Sequence, residues 1–511
     1  MQPYTNPILR GFYPDPSLCR VGEDFYLATS SFEYFPGVPI FHSRDLVNWR
    51  QLGHALDRAS QLPLENATCS DGIFAPTLRW HDGVFYLVTT NVRMSALGES
   101  LNFYVTATNP AGPWSDPVPL ERGWFDPSLF FDDDGTTYYT RREGRTLVQA
   151  RLTPDRRSLR EPLREIARGL CSNDIEGPHL YKRDGRYYLL AAEGGTGPGH
   201  LITIRRSDTP WGPWEACPQS PLITHRQFTP HAIRYVGHAE LFDDGRGHDW
   251  LVCLGTRHDP REGFHFHHLG RETFLAPVEW QDGWPVVNAG KPLAIAMQAP
   301  LPPSFPWPAL PARDDFAAHS LRPEWCFLRN PADTAWSLSE RSGYLRLHGQ
   351  AATLDDEAAA PSAVLRRLQD FDFTACTRLD FAPVHPDDEA GLTLLASNAF
   401  HAEIFVRKNP NGQGLKVGVR RRVMDIHVEP ICILVVAGPL ELRVVGSLKT
   451  FSFFVRDSSG KNHDLGSAPT RLFTTELVTG WTGTMIGLYA TGQGRTSEAH
   501  ADFDWFEYQP G

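Results

Sequence analysis

A chain of 511 residues is longer than one hydrophobic core usually supports, so two domains are expected. Its net charge of −11, with no run of Lys or Arg, argues against a nucleic acid or an anionic membrane surface as partner. No stretch approaches the roughly 20 apolar residues that span a bilayer, so no membrane partner of any kind is expected.

The first residues, Met1-Gln2-Pro3-Tyr4-Thr5-Asn6-Pro7, have neither the basic start nor the apolar middle of a signal peptide, and strand-like sequence begins almost at once. A cytoplasmic protein is the expectation. The eight cysteines, at 19, 69, 171, 217, 253, 326, 376 and 432, contain no CxxC pair and no metal-type spacing. They read as buried thiols in a reducing compartment.

From Asp15 one pattern returns five times: a proline or small residue, Leu, a turn, then an aromatic or aliphatic cluster. The copies are Asp15-Pro16-Ser17-Leu18 with Phe25-Tyr26-Leu27, Ala75-Pro76-Thr77-Leu78 with Phe85-Tyr86-Leu87, Asp126-Pro127-Ser128-Leu129 with Tyr138-Tyr139, Gly177-Pro178-His179-Leu180 with Tyr187-Tyr188-Leu189, and His238-Ala239-Glu240-Leu241 with Trp250-Leu251. Successive copies lie 51 to 61 residues apart, counted from Pro16 through Pro76, Pro127 and Pro178 to Ala239. A period of this size, made of two short strands around an Asp/Gly turn, predicts a five-bladed β-propeller with one blade per copy. The segments Ser43–Trp49, Ala111–Trp114 and Trp211–Trp214 fall between copies, where outer strands belong, and their tryptophans are expected to fill gaps between blades.

In a propeller the inner strand of every blade faces one central channel, so matching positions of different copies converge on the axis. Asp15, Asp126 and Glu176 hold that position, or the one beside it, in copies one, three and four. Either Asp-Pro alone would serve as a turn opener. Three carboxylates around one funnel, however, are an unfavourable cluster of like charge, and such clusters are kept where pKa values must be pushed apart. Glycoside hydrolysis needs that arrangement: a protonated acid beside the leaving oxygen and an ionised base or nucleophile across the sugar ring. A third carboxylate near the acid would hold it protonated near neutral pH.

The propeller pattern is expected over residues 1–298. The proline-rich stretch Ala299-Pro300-Leu301-Pro302-Pro303-Ser304-Phe305-Pro306-Trp307-Pro308 opens a semi-rigid connector over 299–313. From 314 to 511 short alternating strands such as Tyr344-Leu345-Arg346-Leu347, set between Gly, Asn and Asp turns, predict a β-sandwich. The fold class is therefore all-β, a propeller followed by a C-terminal sandwich.

Phe12-Tyr13-Pro14-Asp15-Pro16-Ser17, Phe125-Asp126-Pro127-Ser128, Ile175-Glu176-Gly177-Pro178-His179-Leu180-Tyr181-Lys182, Ala192-Glu193-Gly194-Gly195-Thr196-Gly197 and Gly270-Arg271-Glu272-Thr273 closely resemble glycoside hydrolase family 43. Within it the chain is similar to the two-domain β-xylosidase and α-L-arabinofuranosidase group over nearly its whole length. The resemblance implies an exo-acting, inverting hydrolase that takes terminal D-xylose from β-1,4-xylo-oligosaccharides, with arabinofuranosidase side activity, or an enzyme that is mainly an arabinofuranosidase. It implies Asp15 as general base, Asp126 as modulator of the acid and Glu176 as general acid. It also implies a sugar-binding set of Phe32 and Phe74 as pocket walls, Thr196 beside the acid, His238 beneath the site, Arg271 on the sugar hydroxyls, and Trp481 on a loop from the sandwich. Relatives commonly have Phe where Trp481 stands. No cofactor is required and no metal is assigned to the site, although in some members the histidine matching His238 reaches a central calcium ion.

Two rival readings fit less well. Retaining fructan-acting enzymes also use three carboxylates on five blades, but with the acid in Glu-Cys-Pro and the nucleophile in Asn-Asp-Pro-Asn-Gly; here Glu176 precedes Gly-Pro and Asp15 follows Tyr-Pro. A non-catalytic carbohydrate-binding propeller would have no reason to hold three carboxylates together. The expected partner is a small oligosaccharide, and a homo-oligomer is left open.

Overall fold

The computed structural model describes residues 1–228, 231–258 and 266–511. Among them the single-turn α-helix Thr475–Val478 is the only α-helix, and strands carry the fold. Residues Ser17–Val21, Asp24–Ala28, Gly37–Ser43 and Arg50–Leu56 form blade one as an antiparallel sheet in chain order. Blades two to five follow from inner strands Thr77–His81, Ser128–Phe131, Ile175–Arg183 and Ile233–Asp243.

The sequence repeat maps onto the first two strands of each blade with one register. The Leu of each copy faces the aromatic or aliphatic cluster across the ladder: Leu18 with Leu27, Leu78 with Leu87, Leu129 with Tyr139, Leu180 with Leu189 and Leu241 with Leu251. The hairpin turns explain why that register holds. Asp82-Gly83 has φ of 49° and 80°, and Asp184-Gly185 has 50° and 77°. Positive φ at both central residues is the two-residue turn whose twist matches the strands, and Asp-Gly adopts it at least cost. The expected tryptophan plugs are present: Trp114 is buried, and Trp211 meets Tyr138 of blade three edge-on at 5.7 Å.

The N-terminus ties the ring together. Gln2–Thr5 pairs with Ala296–Ala299, and Leu9 bridges to Thr273 of blade five. Residues 300–312 hold no strand or helix, yet they lie against blade one. The Phe305 N–H donates to Asp45 at 2.7 Å, and the Arg50 guanidinium lies 3.8 Å from the centre of the Trp307 ring.

The rest of the chain forms a sheet of eight strands and one of seven around a second core that includes Leu347, Phe373, Leu392, Leu442 and Phe503. One of these sheets does not end within the sandwich. Its edge strand Cys326–Leu328 pairs with Tyr34–Phe35, which belongs to the propeller half of the chain, so that Phe327 faces Phe35 and Leu328 faces Tyr34. Around this shared edge Phe12, Phe32 and Tyr34 pack with Leu328, Leu365, Met485 and Tyr489. Burying each large side chain is worth about 2 kcal/mol before the entropy of ordering it is counted. The domains are joined at the mouth of the propeller channel, where any site must lie.

All eight cysteines are unpaired. The expectation of uniformly buried thiols is corrected at four of them, since Cys69 and Cys376 are half-buried and Cys171 and Cys432 are exposed. Cys171 lies outside the strands, and Cys432 sits on the edge strand Ile426–Val435, whose outer side no other strand covers.

Candidate active site

The repeat brings a backbone peculiarity to the same place in four blades. Asp15 and Asp126 lie two residues before their inner strands, and Gly177 and His238 at register shifts within theirs, with φ of 54°, 59°, 56° and 42°. Left-handed backbone is costly for residues other than Gly and gathers at functional sites. In blade four Gly takes the left-handed position and the acidic residue precedes it. A Cβ on Gly177 would stand 3.0 Å from the His238 ring, so a side chain is excluded there as well as unneeded. Asp15, Asp126, Glu176 and His238 then converge on one cavity of about 320 Å³ at the channel mouth.

The three carboxyl groups are in unlike environments. Asp15 is buried, which alone would raise its pKa, but Arg271, His238 and the Ser30 hydroxyl outweigh burial and hold it below its ordinary value. Arg271 Nη1 donates to Asp15 Oδ1 at 3.0 Å, Ser30 Oγ donates to Oδ2 at 2.5 Å, and His238 Nδ1 is 3.8 Å from Oδ1. Asp126 is pushed up to about 7, chiefly by burial and then by the like charges of Glu176 and Asp15, against the pull of His238 and Arg142. Its Oδ2 accepts the N–H of Gly177 at 3.0 Å, which fixes the backbone beside Glu176. Glu176 is also raised: burial leads, Arg142 and His238 oppose it, and Asp174 and Asp15 add to it. The pKa of one carboxyl is thus lowered and those of two are raised, the direction of division that acid and base roles require.

The remaining residues expected from the sequence all line this cavity: Phe32, Phe74, Thr196, His238, Arg271 and Trp481. Phe32 and Phe74 pack with their rings tilted by 51° and 5.0 Å between centroids, and both line the cavity. Thr196 hydrogen-bonds Arg271 Nη1 at 3.2 Å, so its bond runs to the Asp15 side of the cavity. Arg271 also donates from Nη2 to the Trp481 carbonyl at 3.2 Å, while its buried Nε has no partner among the described residues. Trp481 is half-buried, and its N–H donates to Ser70 of the propeller at 2.8 Å. The sandwich loop is thereby fastened to the mouth from two sides.

Arg142, Asp174, His200, Trp124 and Met94 line the cavity without having been singled out in the sequence. Arg142 Nη1 donates to Glu176 Oε2 at 2.6 Å. His200 is buried, bonds the Tyr235 carbonyl through Nδ1 at 3.0 Å and has its pKa pushed down to about 3, so it is a neutral wall. The usable signal for Arg142 was strand alternation in Thr137–Glu143, which sends Arg141 and Arg142 to opposite faces.

A calcium ion near His238 would take six to eight oxygen ligands, waters among them. The channel there is crossed by Arg79. From blade two its guanidinium pairs with Glu240 of blade five, donates to His179 Nδ1 of blade four at 3.0 Å and to the Leu129 carbonyl of blade three at 3.2 Å. Glu240 Oε2 also accepts Ser17 Oγ at 2.5 Å and the Leu18 N–H at 3.1 Å. A fixed cation already neutralises the one carboxylate at that level.

Comparison with known proteins bears on the same residues. Residues 4–285 match glycosyl hydrolases family 43, and residues 313–509 match the β-xylosidase C-terminal concanavalin A-like domain. The chain is 42% identical over 510 residues to a non-reducing end α-L-arabinofuranosidase of Bacteroides ovatus, covering 99% of this chain and 94% of that protein. It is 39% identical to a xylosidase/arabinosidase of Butyrivibrio fibrisolvens, covering 98% of each. The solved structure of a xylan β-1,4-xylosidase from Bacillus halodurans superposes with a TM-score of 0.92 at 34% identity, over 99% of this chain and 100% of that one. With both domains matched and the relatives aligned from end to end, the chain belongs to glycosyl hydrolase family 43.

Proposed function

We propose that the protein is an exo-acting, inverting glycoside hydrolase that removes terminal D-xylose from β-1,4-xylo-oligosaccharides and also releases α-L-arabinofuranose. The observation that carries this reading is the unlike state of three carboxyl groups in one closed-ended cavity. Asp15, held ionised by Arg271 and Ser30, acts as base: it takes a proton from water as the water oxygen bonds to the anomeric carbon. Glu176, whose pKa burial and like charge raise, gives its proton to the glycosidic oxygen as the bond from the anomeric carbon to that oxygen breaks. Asp126 is the modulator, acting on Glu176 by charge and through Gly177 by position. Phe32, Phe74 and Trp481 close the mouth around one sugar, which suits cleavage at a chain end.

Xylotriose should therefore yield xylose and xylobiose, and xylan should lose viscosity only slowly; rapid loss of viscosity would refute the closed pocket. The relative at 42% identity favours a second reading, an enzyme acting mainly on arabinofuranose. The ratio of kcat/KM on 4-nitrophenyl β-D-xyloside and α-L-arabinofuranoside decides between the two.

Asp126→Asn tests the modulator. Asn tolerates the left-handed backbone at this position, so the turn should survive. As pH rises through 7 the wild-type pair gains a second negative charge, which opposes ionisation of Glu176 and holds the alkaline limb of kcat/KM high. With Asn that charge is absent, and the alkaline limb should move to lower pH. An unmoved limb with full activity would make Asp126 only a turn residue.

A further inference from the structure

Two cavities meet at Arg142. The inner one holds the three carboxyl groups; the outer one, about 550 Å³, is lined by Trp124, Arg142, Arg145, Asn173 and Asp174 among others. Trp124, Arg142 and Asp174 line both, which makes the Arg142 side chain the partition. This side chain is only 11% exposed and is held at every nitrogen. Nη1 donates to Glu176 Oε2 at 2.6 Å, Nη2 meets Asp174 Oδ1 at 2.5 Å, and Nε donates to the Gly144 carbonyl at 3.0 Å. The rings of Trp124 and Phe125 lie 5.2 and 5.0 Å from the guanidinium carbon and fix its plane.

We propose that Arg142 is a positioning residue that presents the proton of Glu176 to the departing group. The proposal rests on the assignment of Glu176 as the acid. A guanidinium has donors and no acceptor, so it can bond only a lone pair of Oε2. Because the carbonyl oxygen is the better acceptor, this contact favours the acidic proton on Oε1, the oxygen that Arg142 does not hold. A rigid planar fork performs this selection better than a mobile ammonium.

The charges facing Glu176 are Arg142 and His238, which favour the carboxylate, and Asp126, Asp174 and Asp15, which favour the acid. Arg142 therefore opposes protonation while it selects the oxygen that is protonated. Its removal has two separable effects, on position and on pH dependence, and a merely structural residue would show neither.

The test compares Arg142→Met and Arg142→Lys with the wild type on xylobiose and on 4-nitrophenyl β-xyloside across pH. For Arg142→Met the alkaline limb of kcat/KM should move up by roughly one unit, the lower end of what a contacting opposite charge does. Xylobiose should lose at least about tenfold more than the aryl glycoside, whose phenolate leaves with little acid help. Arg142→Lys should return the limb toward its wild-type position without restoring xylobiose turnover. If Arg142→Met does not fold, Asp174→Asn serves, with the opposite sign: loss of a like charge moves the limb down. An unmoved limb with equal proportional losses on both substrates would overturn the proposal. Should Glu176→Ala retain xylobiose hydrolysis, the acid assignment itself falls; if that variant behaves as an acid variant while Arg142→Met matches the wild type, only the role of Arg142 falls.

Discussion

Glu176→Ala is expected to lose about 10²- to 10⁴-fold in kcat on xylobiose, the range a positioned general acid contributes, and far less on an aryl glycoside with an acidic leaving group. The difference follows from the bond being broken. A sugar alkoxide is strongly basic and cannot leave unprotonated, whereas a nitrophenolate can. Glu176 is built for that one demand: it is buried, its pKa is raised, Gly177 is anchored by Asp126 and one of its oxygens is held by Arg142. The Ala variant should also lose the alkaline limb on the aryl substrate, because the group that titrates there is gone. Steady-state kinetics on both substrates across pH check this. Equal losses on the two would remove Glu176 from the acid role.

The parts of this site that were legible in the sequence are those that the repeat marks. Asp15 and Asp126 stand at the same position of two copies and Glu176 one residue before it in a third, and a propeller turns equal repeat positions into neighbours. The blades were legible for a related reason, since Leu78 and Leu87 or Leu180 and Leu189 set register within one hairpin, and Asp-Gly fixes the turn locally. Arg142 carries no such mark. It lies on the second strand of blade three next to Arg141, and Arg141 pairs with Glu121 and Glu143 away from the site, so only the folded sheet distinguishes the two arginines. Asp174 lies outside every repeat copy and becomes relevant only through Arg142. The junction was hidden for a different reason. Tyr34–Phe35 joins a sheet whose other members lie some three hundred residues further on, and nothing local to Tyr34 announces that partner. The same holds for Arg79, whose place across the channel depends on groups from three other blades.

The second large effect is expected at Asp15, and it decides stereochemistry as well as rate. Gly is the replacement of choice, because φ of 54° is a conformation Gly adopts freely and the turn into blade one should survive. Asp15→Gly should reduce turnover of xylobiose and of the aryl glycoside alike, by about 10²- to 10⁴-fold, since water must be activated whatever group departs. That uniform loss is the signature that separates base from acid. Asp15 stands on blade one and Glu176 on blade four, which are not neighbours in the ring, so a water molecule has room between sugar and base. Inversion needs about 6.5 to 9.5 Å between the two carboxyls, against about 5 to 5.5 Å for a nucleophile. Asp15 is moreover held by Ser30 on one oxygen and Arg271 on the other, which leaves lone pairs to orient a water. Proton NMR of the first product from a β-xyloside should show α-xylose before mutarotation, and mass spectrometry of the wild type trapped in turnover should find no glycosyl adduct. If β-xylose forms first, or a sugar is found esterified to Asp15, the residue is a nucleophile, and the mechanism changes even though the substrate does not.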